Sequence, residues 1–143
     1  MLQRIQSIYL LLAAVAAGLL YVLPAAQTAV AAEASYLFSD SRFTLADDVV
    51  LLACFGLAAL LWAMGIFLFR NRQLQVKLST IALLLVIGGS AYGAYLFTQD
   101  AAQTSAVLAA GVGLPLLSLI FGWLANRSIK YDEKLVRSAD RLR

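Results

Sequence analysis

Four stretches without a single Asp, Glu, Lys or Arg set the pattern of this chain: residues 7–23, 49–69, 78–97 and 104–125. At about 1.5 Å per residue a helix over any of these runs crosses a hydrocarbon layer of about 30 Å, the first only marginally. No water is present there to satisfy peptide groups, and no run shows the period-two alternation of a membrane barrel, so each is expected to be a helix. The pattern predicts an all-α polytopic membrane protein. Four transmembrane helices form an up-down-up-down bundle over residues 1–127, with an outer loop at 24–48 and a C-terminal amphipathic cytoplasmic helix over 128–143.

Charge sorting orients the four runs. Arg4, the second connection (Arg70, Arg72 and Lys77) and the tail carry ten of the 11 basic residues. The opposite side is acidic, with Glu33, Asp40, Asp47 and Asp48 against Arg42 in the first connection and Asp100 in the third. The excess of Lys and Arg marks the cytoplasmic face, which places both termini there. Tyr21, Trp62, Phe69, Phe97 and Trp123 fall near predicted span ends, the level at which amphipathic rings collect. A rival organisation takes Arg4, the first apolar run and Ala29-Val30-Ala31-Ala32 as a cleavable secretory signal; that run is longer than the apolar core such signals usually have.

Composition agrees with a lipid-facing surface. Hydrophobic residues make up 62% of 143 and charged residues only 13%, about half the share of an ordinary soluble domain. The inventory also excludes chemistry. With no His and one Cys, Cys54, the chain has no His-ligated metal or haem, no Ser-His-Asp triad and no internal disulfide relay. The four runs hold no ionisable side chain of the kind that marks proton or ion paths. The net charge of +3 follows from sidedness around the membrane and signals no nucleic acid.

Within the spans, the small residues are the features to weigh. Gly89 and Gly93 form a G-x-x-x-G pair suited to close helix packing, within the bundle rather than between copies, and Ala14 with Gly18 in the first span is a weaker pair that would meet them. Gly111, Gly113 and Pro115 predict a bend in the fourth span, since proline removes a helical hydrogen bond. Cys54 reads as a small core residue. The outer loop is open to two readings, a small ordered cap or a mobile connection. In the tail, Ile129, Leu135, Val136, Ala139 and Leu142 recur at helical spacing and Glu133 precedes Arg137 by four positions, so an amphipathic helix is expected, lying on anionic lipid or docking on a partner.

The start, Met1 to Ala13 (MLQRIQSIYLLLA), and the end, Leu124 to Arg143 (LANRSIKYDEKLVRSADRLR), resemble a family of small bacterial four-span membrane proteins known only as a domain of unknown function. The resemblance implies a multi-pass protein of the bacterial inner membrane and assigns no activity, cofactor or catalytic residue. Joined to the topology, it makes one surface of both ends: Gln3 and Arg4 with Asp132, Glu133, Arg137, Asp140 and Arg141, and Arg4 beside Asp132 or Glu133. The expected role is non-enzymatic, an accessory or assembly subunit of a larger membrane complex in contact with membrane lipid, with self-association left open. The alternative is a binding protein for a lipid or quinone near Pro115, with Ser90, Tyr92, Tyr95 and Ser118 as the hydroxyls at hand.

Overall fold

The computed structural model describes the backbone of residues 2–31, 35–69 and 71–140, and side chains from residue 5 to residue 136 within those segments. Four helices dominate: α1 (Leu2–Leu19), α2 (Val49–Phe67), α3 (Arg72–Gln99) and α4 (Leu114–Asp140). Three stretches are apolar and long enough to cross a membrane, namely Val49–Phe67, Arg72–Gln99 and Ala110–Val136; the apolar part of α1, Ile5–Leu19, is shorter. The helices close a ring in the order α1, α2, α3, α4, with α1 and α4 in contact.

Helix starts follow local chemistry. Asp48 caps α2 by accepting from the N–H groups of Val50 (2.8 Å) and Leu51 (3.2 Å), and Asn71 caps α3 by accepting from Leu74 N–H (3.1 Å). These bonds satisfy donors that a helix start otherwise leaves orphaned. Pro115 is the second residue of α4. This corrects the expected bend within the fourth span: in the first turn proline's missing N–H has no helical partner to lose, so it starts the helix instead of kinking it. Residues 104–113 are accordingly outside the α-helix and form two 3-10 turns and a strand. At its other end α4 runs on to Asp140, so the tail helix is continuous with the last apolar helix and has no break at residue 128.

The structure is mostly helical, with one small addition that the helical expectation does not include. Three two-residue strands, β1 (Ala26–Gln27), β2 (Arg42–Phe43) and β3 (Val107–Leu108), form an antiparallel sheet in the order β2-β1-β3. Ala26 pairs with Phe43 on one side and with Leu108 on the other. The described part of the first connection is thus an ordered cap. Its Leu37 and Phe38 are buried, and the Phe38 ring meets those of Phe43 and Phe97 edge-on at 6.3 and 6.2 Å. Asp100, just past α3, ties the cap down: its carboxylate accepts from the Ser35 hydroxyl (2.7 and 2.9 Å), Leu37 N–H (3.1 Å) and Ala102 N–H (2.9 Å).

Inside the ring the core is built from Leu10, Ala13 and Ala17 of α1, Phe55, Ala58 and Trp62 of α2, Ala82 and Val86 of α3, and Ala125 and Ile129 of α4. Trp62 belongs to this core and not to the interfacial belt that its position near a span end suggests. It is fully buried, donates its indole N–H to Ser79 Oγ at 3.1 Å, and lies so close to Gly122 that a methyl there would come within 2.6 Å of the ring. A glycine on α4 and a hydroxyl on α3 supply both things a buried indole needs, room and an acceptor. Tyr21, Phe69 and Trp123 do face outward, with the guanidinium of Arg127 5.5 Å from the Trp123 ring centre.

Candidate apolar cleft

Between α3 and α4, in the half of the bundle beneath the cap, lies a cleft of about 480 Å³. Its existence follows from side-chain size and from where α4 begins. On α3 the wall runs from Gly89, Ser90, Gly93 and Ala94, which project little, to Phe97 and Thr98, and on α4 it is Pro115, Leu116 and Leu119. Leu51 and Phe55 of α2 form the floor, while Ala26, Phe43, Leu45 and Leu108 form the roof. Elsewhere α3 and α4 are in close contact: Leu83 packs on Gly122, and Asn126 donates to the Thr80 hydroxyl at 3.1 Å. The volume lies within the range of about 300–1,000 Å³ typical of small-molecule sites.

The hydroxyls of the lining already donate their protons to their own helices. Ser90 donates to the Val86 carbonyl at 2.6 Å and Thr98 to the Tyr95 carbonyl at 2.8 Å, each bonding back along its own helix. Of the other hydroxyls named from the sequence, Ser118 donates to the Pro115 carbonyl, the Tyr92 hydroxyl approaches Asp48 at 3.4 Å, and Tyr95 is exposed. The cleft therefore presents hydrocarbon walls. Ala94, Thr98 and Leu116 are exposed at its side, where it opens toward the outer face of α3 and α4.

The small residues singled out in the sequence separate into different tasks. Gly89 and Gly93 meet α2: a methyl at Gly89 would lie 3.0 Å from Cys54 and Phe55, and one at Gly93 3.4 Å from Leu51. Ala14 packs against the core, whereas nothing approaches within 4 Å of where a Gly18 side chain would begin. Because α1 packs chiefly on α2 and α4, this pair does not meet Gly89 and Gly93. Gly111 permits a backbone crossing. Its N–H donates to the Pro24 carbonyl at 2.9 Å, and a side chain would strike that carbonyl and Leu23's at 2.5 and 2.6 Å. Gly113 faces open space.

The far end of the bundle brings α1 and α4 together through a residue that carries no charge and no motif. Gln6, buried, donates to Asp132 Oδ2 at 2.6 Å and to the Ser128 carbonyl at 3.2 Å. Glu133 accepts from Gln73 of α3 at 3.4 Å. Gln75 adds a buried amide that donates to the Gly65 carbonyl at 2.9 Å. The side chains of Gln3, Arg4, Arg137 and Asp140, and the whole of Arg141, lie outside the described residues, and the pairing expected for Arg4 lies there with them. Gln6 and Asn126 gave one signal, as uncharged polar residues directly beside an apolar run, whereas Gln75 sits in the basic second connection and gave none.

Among the described residues no group of three or more His, Cys, Asp or Glu side chains is placed to hold a metal. Fold and cleft together define a small helical protein with membrane-length apolar helices and a capped hydrocarbon-lined cleft. The chain matches the family described as a domain of unknown function (DUF4293) over residues 2–142, and it belongs to that family. No curated protein and no solved structure matches it.

Proposed function

We propose that this is a four-span, up-down-up-down protein of the bacterial inner membrane, with both ends in the cytoplasm, that holds a hydrocarbon chain of a membrane lipid in the cleft without catalysing a reaction. The cleft carries this reading: its walls are apolar and its side opening faces the direction in which lipid would lie. Four spans are supported by the way each helix meets the next. Tyr21, just past α1, donates to the Leu52 carbonyl in the first turns of α2; Gly65, near the end of α2, meets Gln75, near the start of α3; Gln6 meets Asp132. Between a lipid chain and a quinone the lining favours the chain, because a quinone head needs donors and the cleft's hydroxyls are turned back on their own helices.

The test is lipid analysis and native mass spectrometry after purification in mild detergent, comparing the natural chain with Ala94→Trp, which fills the mouth without entering the packing of α3 on α2. A bound lipid present at about one per chain and lost in Ala94→Trp, with helicity unchanged, is the expected result. Equal lipid content in the two proteins overturns the reading.

A second reading, an accessory subunit docking on a cytoplasmic or membrane partner, is favoured by Tyr131 and Val136, which are exposed among the charges at the end of α4. Copurification that survives Ala94→Trp but not a Tyr131→Ser, Val136→Ser double variant would separate it from lipid binding.

A further inference from the structure

The register of the helices fixes the depth of the strand and 3-10 turn that precede α4. Tyr92 reaches Asp48, Gly93 meets Leu51 and Gly89 meets Phe55, so the start of α2 is level with α3 close to Leu96. Thr80 with Asn126 and Leu83 with Gly122 then place the same level close to Ala110, just before α4. From Leu114 to Arg127, where the first basic side chain appears, α4 rises only about 20 Å, and a hydrocarbon layer is about 30 Å thick. About 10 Å must therefore be made up by the chain before Leu114.

That chain has the side chains and the backbone bonding that such a position requires. Val107, Leu108 and Val112 are 70%, 64% and 48% exposed, apolar side chains at the surface and continuous with exposed Leu116, Leu117 and Ile120 on α4. Non-helical backbone is tolerated at membrane depth only where its polar groups are bonded and protein covers one side. Here β3 pairs with β1, Ala109 N–H donates to the Ala25 carbonyl at 2.9 Å, and Gly111 N–H donates to the Pro24 carbonyl. The partner segment, Pro24 to Gln27, follows the early end of α1 at Leu19, so α1 and the apolar part of α4 are completed by one shared unit of paired backbone.

We propose that residues 107–113 are a lip embedded in the membrane leaflet opposite the chain ends, with Val107, Leu108 and Val112 in contact with lipid. Leu108 and Val112 also line the cleft, so the lip forms one edge of its opening to the bilayer. The proposal rests on the membrane-spanning reading and is independent of whether the cleft is occupied.

The experiment uses the full chain in sealed vesicles with the cap facing outward, carrying Cys54→Ala and single cysteines at Leu108, Val112, Leu116, Leu84 and Ser39. A membrane-impermeant maleimide is expected to label Leu108→Cys and Val112→Cys at least tenfold more slowly than the exposed cap position Ser39→Cys, and a nitroxide there to be relaxed more by oxygen than by a polar nickel chelate. Labelling of Leu108→Cys and Val112→Cys within threefold of Ser39→Cys, with Leu116→Cys and Leu84→Cys protected, overturns the lip alone. Rapid labelling at Leu116→Cys and Leu84→Cys as well overturns the membrane reading and the lip with it.

Discussion

The amide of Gln6 donates to the carboxylate of Asp132 at 2.6 Å across 126 residues of chain, and both side chains are more than nine-tenths buried. This bond joins the first helix to the last. Removing the amide leaves the carboxylate without a partner it has in the folded chain, and hydrogen bonds to charged groups contribute about 1.5–3 kcal/mol. Gln6→Ala should cost about 2 kcal/mol in reversible unfolding in micelles. Asp132→Ala in the same background should then cost less than it does alone, a non-additivity of about 1 kcal/mol or more read from the double-mutant cycle.

Trp62 and Gly122 give the opposite kind of test, one of excess volume. A methyl at Gly122 would lie 2.6 Å from the indole, while one at Gly18 meets nothing within 4 Å. Gly122→Ala should destabilise by about 1–3 kcal/mol because the ring must move off Ser79. Gly18→Ala should be neutral or stabilising by up to about 1 kcal/mol, as alanine favours a helix. Thermal unfolding, with tryptophan emission as the local report, checks both.

The cap carries a pH dependence with two carboxylates acting in opposite directions. Burial pushes Asp100 up, but hydrogen bonds from Ala102 N–H, the Ser35 hydroxyl and the Leu37 and Tyr36 N–H groups outweigh it, and its carboxyl is held below the usual 3.8. Its contribution is therefore present above about pH 4 and is lost as pH falls through its lower folded value. Asp47 is raised by burial, with hydrogen bonds from Thr44 pulling the other way and the charge of Asp40 adding to the rise, so its contribution is present below 3.8 and is lost as pH rises through its folded value. Acidification should first protonate Asp47 without opening the cap and then release it as Asp100 is neutralised. Hydrogen exchange at the Leu37 and Ala102 amides follows the second step, and Asp100→Asn should abolish that part of the profile.

Gly111 lies where two backbones cross, and a side chain there meets carbonyl oxygens that have no rotamer to yield. Gly111→Ala should break the Gly111 to Pro24 bond and cost about 2–3 kcal/mol. Its effect should concentrate at the roof: faster exchange at the Ala109 and Gly111 amides and reduced lipid retention, with the Trp62 environment unchanged.

How much of this was legible depends on the length of the signal. Long charge-free runs announce α2 and α3 because such patterns extend over several turns, and Gly89 with Gly93 announces a close contact because the pair puts two bare positions on one helix face. An ordered cap was one of two readings of the outer loop, but its sheet did not announce itself, since so short a strand has no period, and Ala26-Gln27, Arg42-Phe43 and Val107-Leu108 owe their pairing to segments far apart in the chain. Pro115 was legible as a backbone constraint but not in its effect; the same ring bends a helix from the middle and starts one from its first turn. Trp62 was ambiguous for a similar reason. An indole near a span end suits the interface and the core equally until its neighbours are known, and those neighbours, Ser79 and Gly122, come from two other helices.

In the sheet, β1 is the central strand, with β2 from the same connection on one side and β3 from the connection before α4 on the other. Because a ribosome delivers the chain in sequence, β1, β2, α2 and α3 precede β3 and α4, and at that stage the space has its α3 wall, its α2 floor and most of its roof but no α4 wall. On the lipid-binding reading, that space stays open to membrane chains until α4 is added. β3 and α4 then complete the cleft but leave its side open at Ala94, Thr98 and Leu116, so on that reading a chain exchanges laterally with the bilayer while the sheet stays paired.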